Sequence, residues 1–599
     1  MSTVRIGNAS GFYGDRRAAV REMLEGGDLD YLTGDYLAEL TMLILGRDKL
    51  KDESLGYAKT FVRQMQDCLG LAVDKGVRIV TNAGGLNPAG LAARLRDLAA
   101  ELKLDVAIAH IEGDDLKARG EEFGFADALT ANAYLGAFGI AEALRAGADV
   151  VVTGRVTDAS LVVGPAIAHH GWARTDYDRL AGAVAAGHVI ECGTQATGGN
   201  VAGLESLDLS SARARRFGFP IAEVDARGDS VITKHPGTGG AVTVDTVTAQ
   251  LVYEIDSPAY VGPDVVTHLD SLSLASDGAD RVSITGVRGS APPSQVKVCL
   301  NRLGGFRNSV EFLLTGLDIE AKAALVREQL TDALAASPPE CIEWQLERTA
   351  QDDPASQAAA TARLRCHVRS SSPEAVGRSF SGAAVELALG SIPGFTLTAP
   401  PGNGSPFGVY EPAYVDQSVP AHVVVHADGS RTPIPPPSDS GSITHGYEPI
   451  EAVRDSYKTK QHHPSPAPHP SQEPPPVGLT NEYVRAPLGR IAYARSGDKG
   501  GDANIGVWVR ADHPDRDAAY AWLRDLLDEQ TVKALLPEAA ELDLDVYELP
   551  NLRAVNIVVH GILGEGVAAS TRFDPQAKAL GEWLRARHVD IPAELVKAP

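Results

Sequence analysis

Short apolar runs alternate with amphipathic, alanine-rich stretches through the first two hundred residues. Residues 4–7, 77–81, 104–110 and 149–154 are β-rich and apolar on both faces, and helical periodicity fills 55–75, 88–102 and 135–146 between them. Strands apolar on both faces with helices between them predict an α/β layer built on a mostly parallel sheet. From about Ser206 the texture changes. Residues 242–255 (VTVDTVTAQLVYEI), 282–287 and 295–300 read as strands, followed by a helix over 319–335, strands over 342–348 and 362–370, and a helix over 372–389. This predicts a second, mixed α/β lobe.

The clearest interruption is 459–478, TKQHHPSPAPHPSQEPPPVG, where proline, serine and histidine exclude a packed core. Its His462, His463 and His469 read as solvated linker residues. Beyond it, strands at 490–495, 504–510, 543–548 and 554–560, with helices at 517–529 and 575–587, predict a small α+β domain with one sheet covered on one face. The expected organisation is therefore a parallel α/β ligand-binding lobe over 1–205, a mixed α/β lobe over 206–455, a linker over 456–480 and the small domain over 481–599.

Charge narrows the partners. The 599 residues carry 55 Lys plus Arg against 78 Asp plus Glu, a formal net charge of −23. That balance argues against nucleic acid and anionic membrane, whose phosphates require a basic surface, but leaves a small anionic ligand open. No run approaches the ~18 apolar residues of a membrane span, and the N-terminus lacks a basic segment followed by an apolar one. Five scattered cysteines without C-x-x-C spacing fit reduced thiols, a cytoplasmic setting and no structural zinc. No metal and no cofactor is evident, and a homo-oligomer is compatible with the sequence.

Four glycine-rich segments of the large module carry candidate chemistry. A buried strand runs into Asn82-Ala-Gly84-Gly85-Leu-Asn87 ahead of Pro88, where glycines admit a ligand to the backbone and the following helix offers free N–H groups. Neither the dinucleotide nor the P-loop spacing is present; the plain alternative is a tight strand-to-helix turn. The same logic gives Gly154, Arg155 and Asp158, with Arg155 suited to a carboxylate or phosphate and Asp158 to a helix cap or to Arg155 itself. In the third segment, Glu191 precedes small polar residues, with Thr197, Gly198, Gly199 and Asn200 available to a ligand. Glu191 is the leading general acid/base, assisted by Asp158 and Arg155, whereas Cys192 reads as an inert thiol. Lys234 and His235 open a turn-rich fourth loop, and 403–408 (NGSPFG) is a fifth with less to read. In the small domain Ser496, Asp498 and Lys499 lie in RSGDKGGDAN, long for a hairpin loop and able to form an anion-binding nest. The first three loops are expected to meet in one cleft at the C-terminal edge of the parallel sheet.

Together, TNAGGLNP, VVTGRVTDASL, ECGTQATGGN, KHPGTGG and ARSGDKGGDANIGV resemble the acyclic terpene utilisation family, over the large module to about Pro449 and the C-terminal domain. The resemblance implies a ferredoxin-like C-terminal domain and a setting among branched acyl-CoA carboxylases, dehydrogenases and hydratases, with coenzyme A thioesters as substrate carriers. It implies no particular catalytic residues. The expectation is an enzyme of branched acyl or carboxylic acid metabolism, a lyase or hydratase using acid/base chemistry on a small-molecule substrate. The alternative is a non-catalytic ligand-binding or assembly subunit.

Overall fold

The computed structural model describes residues 3–437, 450–454 and 482–596. The expected linker, 456–480, lies outside the described residues. Two compact units are present. The first comprises Met1–Asn301, Tyr410–Val567 and Asp574–Pro599, and the second Arg302–Val409 with Ala568–Phe573. The expected lobe 206–455 is therefore divided: 206–301 and its described residues from Tyr410 onward belong with the N-terminal lobe and the small domain.

At the centre of the first unit lie β1 (Thr3–Asn8), β2 (Tyr31–Gly34), β3 (Arg78–Thr81), β4 (Ile108–Glu112) and β6 (Val150–Val152), all parallel in the order β1-β2-β3-β6-β4; β5 (Thr130–Ala133) pairs elsewhere, with 298–301. Beyond β1, the strands β7 (Pro220–Asp225) and β8 (Ser230–Lys234), then Val282–Thr285 and Ser273–Ser276, add antiparallel. Val423–Val425 and Arg431–Pro433 add antiparallel beyond β4. The eleven-stranded sheet is thus mixed, not mostly parallel as expected. The reason is local. Parallel pairing needs helical crossovers, and these stop near residue 220, where Gly228 (φ 90) closes a tight hairpin and the chain returns antiparallel.

The crossover helices follow their sequence signals. Pro88 opens Pro88–Leu102 behind Asn87, whose side chain accepts from Gly90 N at 2.9 Å, and Gly76 (φ 65) ends Lys59–Lys75. Helix Tyr177–Ile190 is buried at every position from Leu180 to Ile190, which only small residues permit: a Cβ on Gly182 would lie 2.0 Å from the Gly228 carbonyl oxygen. This close seat carries His188 and Glu191 to the end of the sheet. The segment expected as a strand over 242–255 is instead a helix, Val244–Leu251. Thr243 and Thr246 cap it reciprocally, and this capping box overrides the β-branched residues that suggested a strand.

In the small domain, Ala492–Lys499, Asp502–Val509, Ala554–Val559 and Leu544–Leu549 form an antiparallel sheet in that order. Ala503, Ile505, Val507 and Val509 pack with Leu523 and Leu584 of helices Arg516–Leu526 and Leu580–Ala586. The opposite face is covered as well. Asn504, fully buried, accepts from Glu254 N and donates to Val252 O, both at 2.8 Å, and donates to Asn556 at 2.9 Å. Trp508 donates to Asp245 at 3.0 Å. The supposed long loop over 495–504 is a hairpin with a two-residue turn, Gly500–Gly501, because pairing continues to Lys499 opposite Asp502 and Gly500 takes φ 67.

The second unit is an open-faced sandwich. Residues 306–315 of the strand Gln295–Thr315 pair with Thr361–Ser370, which pairs with Cys341–Glu347, and Val326, Leu330 and Phe380 of helices Ile319–Ala333 and Arg378–Glu386 pack on one face.

Asn504→Ala should strand the Glu254 N–H and the Val252 carbonyl in a dry interface. At roughly 1–3 kcal/mol for each of these two unsatisfied groups, urea unfolding should show a loss of about 2–6 kcal/mol; a loss below ~0.5 kcal/mol would mean that this amide does not hold the domain.

Candidate functional site

A cavity of about 760 Å³ opens within the first unit. Its floor is made where β1, β2 and β6 end, at the C-terminal edge of the parallel strands, by Gly11, Asp35 and Glu39, Arg155 and Asp158. Helix Tyr177–Ile190 supplies His188 and leads into Glu191. The turn after Leu251 supplies Tyr253, Glu254 and Asp256, and the small domain adds Asp498, Lys499 and Lys578. Two modules remote in sequence thus build one site.

Arg155 is 2% exposed. It donates to Asp158 Oδ1 at 2.9 Å and to Leu37 O at 3.1 Å, with its guanidinium carbon 4.2 Å from the centre of the Tyr134 ring. Tyr134 donates to Glu39 at 2.8 Å. Burial alone would raise the Glu39 carboxyl, but the Lys297 and Arg155 charges outweigh it and hold the group at about 2. Glu254, with its backbone at φ 53, meets Lys578 at 3.0 Å, and this charge outweighs burial to keep it ionised.

The other carboxyls go the opposite way. Burial, then the Asp158 and Glu254 charges, push Glu191 well above the usual carboxylate range. Burial and the Asp158 charge do the same to Asp35, and Asp158 itself is raised by burial despite Arg155. Burial and Glu254 bring Asp498 to about 7. His188 Nδ1 stands 3.3 Å from Glu191 Oε1 without hydrogen-bond geometry, and its ring lies 4.7 Å from that of Tyr260. Burial and the Lys499 charge lower its pKa to about 4, so it is a neutral imidazole near pH 7. Lys499 makes no direct ion pair or side-chain hydrogen bond among the described residues. Burial disfavours its charge, but Asp256, Glu254 and Glu39 restore it.

Of the residues singled out in the sequence, Arg155, Asp158, Glu191, Cys192, Gly199, Asn200, Asp498 and Lys499 line this cavity. The other candidate ligand-binding residues do not. Asn82 sits behind it, donating to Asp35 at 2.6 Å and accepting from Tyr36 N. Gly84 packs against Thr153 O, Gly85 against Gly56 O, and Asn87 caps its helix, so this loop is the tight turn and not a ligand cradle. Gly154 leaves room for Asp114. Thr197 donates to Gly218 O, and Gly198 turns the chain at φ 107 against Leu207. Lys234 pairs with Asp280 at 2.9 Å, and the His235 ring is 3.0 Å from Met23 O. Ser496 is buried in its strand, donating to Ala577 O and accepting from Gly581 N, so its hydroxyl is already engaged. The first three loops therefore do not all meet; the second and third do. Glu191 faces His188 rather than Arg155.

Sequence reasoning missed Asp35, Glu39, Tyr253, Glu254, Lys297 and Lys578. For Asp35 a signal existed, Thr33-Gly-Asp35 at the end of an apolar run; for Lys578 none did. Among the described residues no group of three or more His, Cys, Asp or Glu side chains is arranged to hold a metal ion, and no helix is long and apolar enough to cross a membrane.

The Lys499 charge lowers proton affinity at both His188 and Glu191. Lys499→Met should move the His188 titration, followed by ring NMR, upward from about 4 toward its ordinary 6.5. The unfolded chain protonates this imidazole first, so stability falls as pH drops through that window, and raising the folded value narrows it. An unmoved midpoint would remove Lys499 from contact with the pair.

No curated protein and no solved structure matches the chain. The family model described as acyclic terpene utilisation family protein AtuA matches residues 4–426, and the AtuA ferredoxin-like domain matches 486–590. The chain belongs to the acyclic terpene utilisation family, with that family's large module followed by its ferredoxin-like domain.

Proposed function

We propose that this protein is an enzyme that adds water to, or removes it from, a branched acyl group presented as a carboxylate or a coenzyme A thioester. The observation that carries this reading is the disposition of Lys499, an ammonium without a direct ion pair facing the cavity that holds Glu191 and His188. The cavity volume falls within the ~300–1,000 Å³ typical of small-molecule sites. Val261, Pro263, Pro293 and Val296 give it an apolar flank suited to a hydrocarbon chain.

In the hydration direction Lys499 binds the acyl oxygen and stabilises the negative charge that develops there. Neutral His188 takes a proton from water as the oxygen bonds to the β-carbon. Protonated Glu191 then delivers its proton to the α-carbon, and the imidazolium returns one to Glu191. Arg155 is already committed to Asp158 and shapes the wall. Raising the carboxyl and lowering the imidazole reverses their usual order, so that the acid holds its proton while the base is free to accept one.

With a branched 2-enoyl-CoA as substrate, Glu191→Gln should lower turnover by ~10²–10⁴ while leaving the circular dichroism spectrum and substrate affinity nearly unchanged. Full turnover would remove Glu191 from the mechanism. Binding is read separately: an acyl-CoA at about 100 times its Kd should stabilise the native protein by roughly 2.7 kcal/mol. Stabilisation with no turnover of any enoyl, hydroxyacyl or free acid substrate would identify a binding subunit instead.

A further inference from the structure

The second unit carries a polar sheet face that the proposed reaction does not use. Residues 306–315 and Thr361–Ser370 pair so that Arg307 lies directly opposite Arg369, and Ser309 opposite His367. Because side chains alternate along a strand, these four share the face turned away from the helices. Elsewhere on that face the charges are matched. Arg365 meets Glu311 at 2.6 Å and Glu347 at 3.0 Å, and Arg369 meets Glu343 at 2.8 Å.

At the Arg307 end the matching stops. Arg307 donates to Ala568 O at 2.6 Å but has no acidic partner among the described residues, and it stands opposite another arginine, a placement that disfavours folding unless an anion joins it. His367 Nε2 is shielded from solvent and has no hydrogen-bond partner. Partial burial and the adjacent Arg369 charge both weaken Arg307's hold on its own proton, consistent with a missing counter-charge.

Around this spot the backbone is shaped into a cleft of about 470 Å³. One wall is the glycine-rich segment 403–408. Asn308 donates to Val376 O and Gly402 O, both at 2.8 Å, and Gly404 turns at φ 72, bringing Asn403 and Ser405 to the rim. The other wall is 570–572. Thr571 is fastened by its hydroxyl to Glu343 at 2.6 Å and by its carbonyl to Gln345 at 3.3 Å, which sets Arg572 at the cleft.

We propose that this cleft binds the phosphate group of a small molecule, a phosphate monoester or diphosphate, with Arg307, Arg369 and Arg572 as its charge partners and His367 and Ser309 as further donors. A carboxylate offers two oxygens; three guanidiniums with an imidazole and a hydroxyl suit the three free oxygens of a terminal phosphate, and guanidinium forks match phosphate geometry bidentately.

The test uses the full-length protein in isothermal titration calorimetry at fixed ionic strength, with pyrophosphate as the probe and inorganic phosphate and citrate in parallel. Saturable one-to-one binding of pyrophosphate, at least tenfold tighter than citrate, is expected. Arg307→Gln should weaken it at least tenfold, whereas Lys499→Met, which alters the other cavity, should leave it unchanged. Should Arg307→Gln fail to fold, Ser309→Asp places a carboxylate on the same face and should abolish binding. Absence of pyrophosphate binding, citrate binding of equal strength, or affinity that survives both cleft variants or is lost with Lys499→Met would overturn the assignment.

Discussion

Four polar contacts made by two buried amides hold the cavity together. Asn504 and Asn556, both fully buried, grip the backbone at Val252, Glu254 and Ile255 and each other. The grip fixes a turn in which Glu254 adopts φ 53, a left-handed conformation that a residue with a Cβ rarely accepts. That conformation aims the Glu254 carboxylate at Lys578 and into the site. It also seats the glycine hairpin, since a Cβ on Gly497 would strike Tyr253 and one on Gly506 would strike Val252. Without this seam, the carboxyls of the large lobe and the ammonium groups of the small domain would not share one electrostatic environment.

Burial then does the chemical work. Taking a carboxyl out of water favours its neutral form, and each added negative neighbour favours it further. Glu191 and Asp35 feel both effects, while Glu39 and Glu254 escape through adjacent lysines. One set of residue types is thereby sorted into raised and lowered carboxyls by position alone. Cys192 follows the same rule: burial pushes its thiol well above the usual range.

What was legible in the sequence follows from how local each signal is. The helix Pro88–Leu102 matched its expected bounds because Asn87, Pro88 and Lys103 write its ends into adjacent positions. Arg155, Asp158 and Glu191 were found because they follow strand or helix ends beside glycines. The same rule misled at Asn82–Asn87 and at Lys234–His235, where glycines serve close backbone approaches rather than a ligand. A strand end and a tight turn look alike until the neighbouring chain is in place. The antiparallel addition of Pro220–Asp225 to Thr3–Asn8 and of Val423–Val425 to Ile108–Glu112, and the joining of the small domain to the first lobe, depend on partners hundreds of residues away. Lys578, 324 residues from Glu254 along the chain, could not be read locally.

The charge balance of the cavity ties these points to a ligand. Eight carboxyl groups line it (Asp15, Asp35, Glu39, Asp158, Glu191, Glu254, Asp256 and Asp498) against five cations, Arg155, Lys297, Arg454, Lys499 and Lys578. Fully ionised, the wall would be three charges negative and would repel any acyl carboxylate. Four of the eight, Asp35, Asp158, Glu191 and Asp498, are pushed toward the neutral acid. Each carboxyl shifted that way lessens the negative charge of the wall. Lys499, alone among the five cations, makes no direct ion pair with a lining carboxylate among the described residues. In the reaction we propose, a protein of net charge −23 receives an anionic group because the same desolvation that raises its carboxyls also weakens their repulsion.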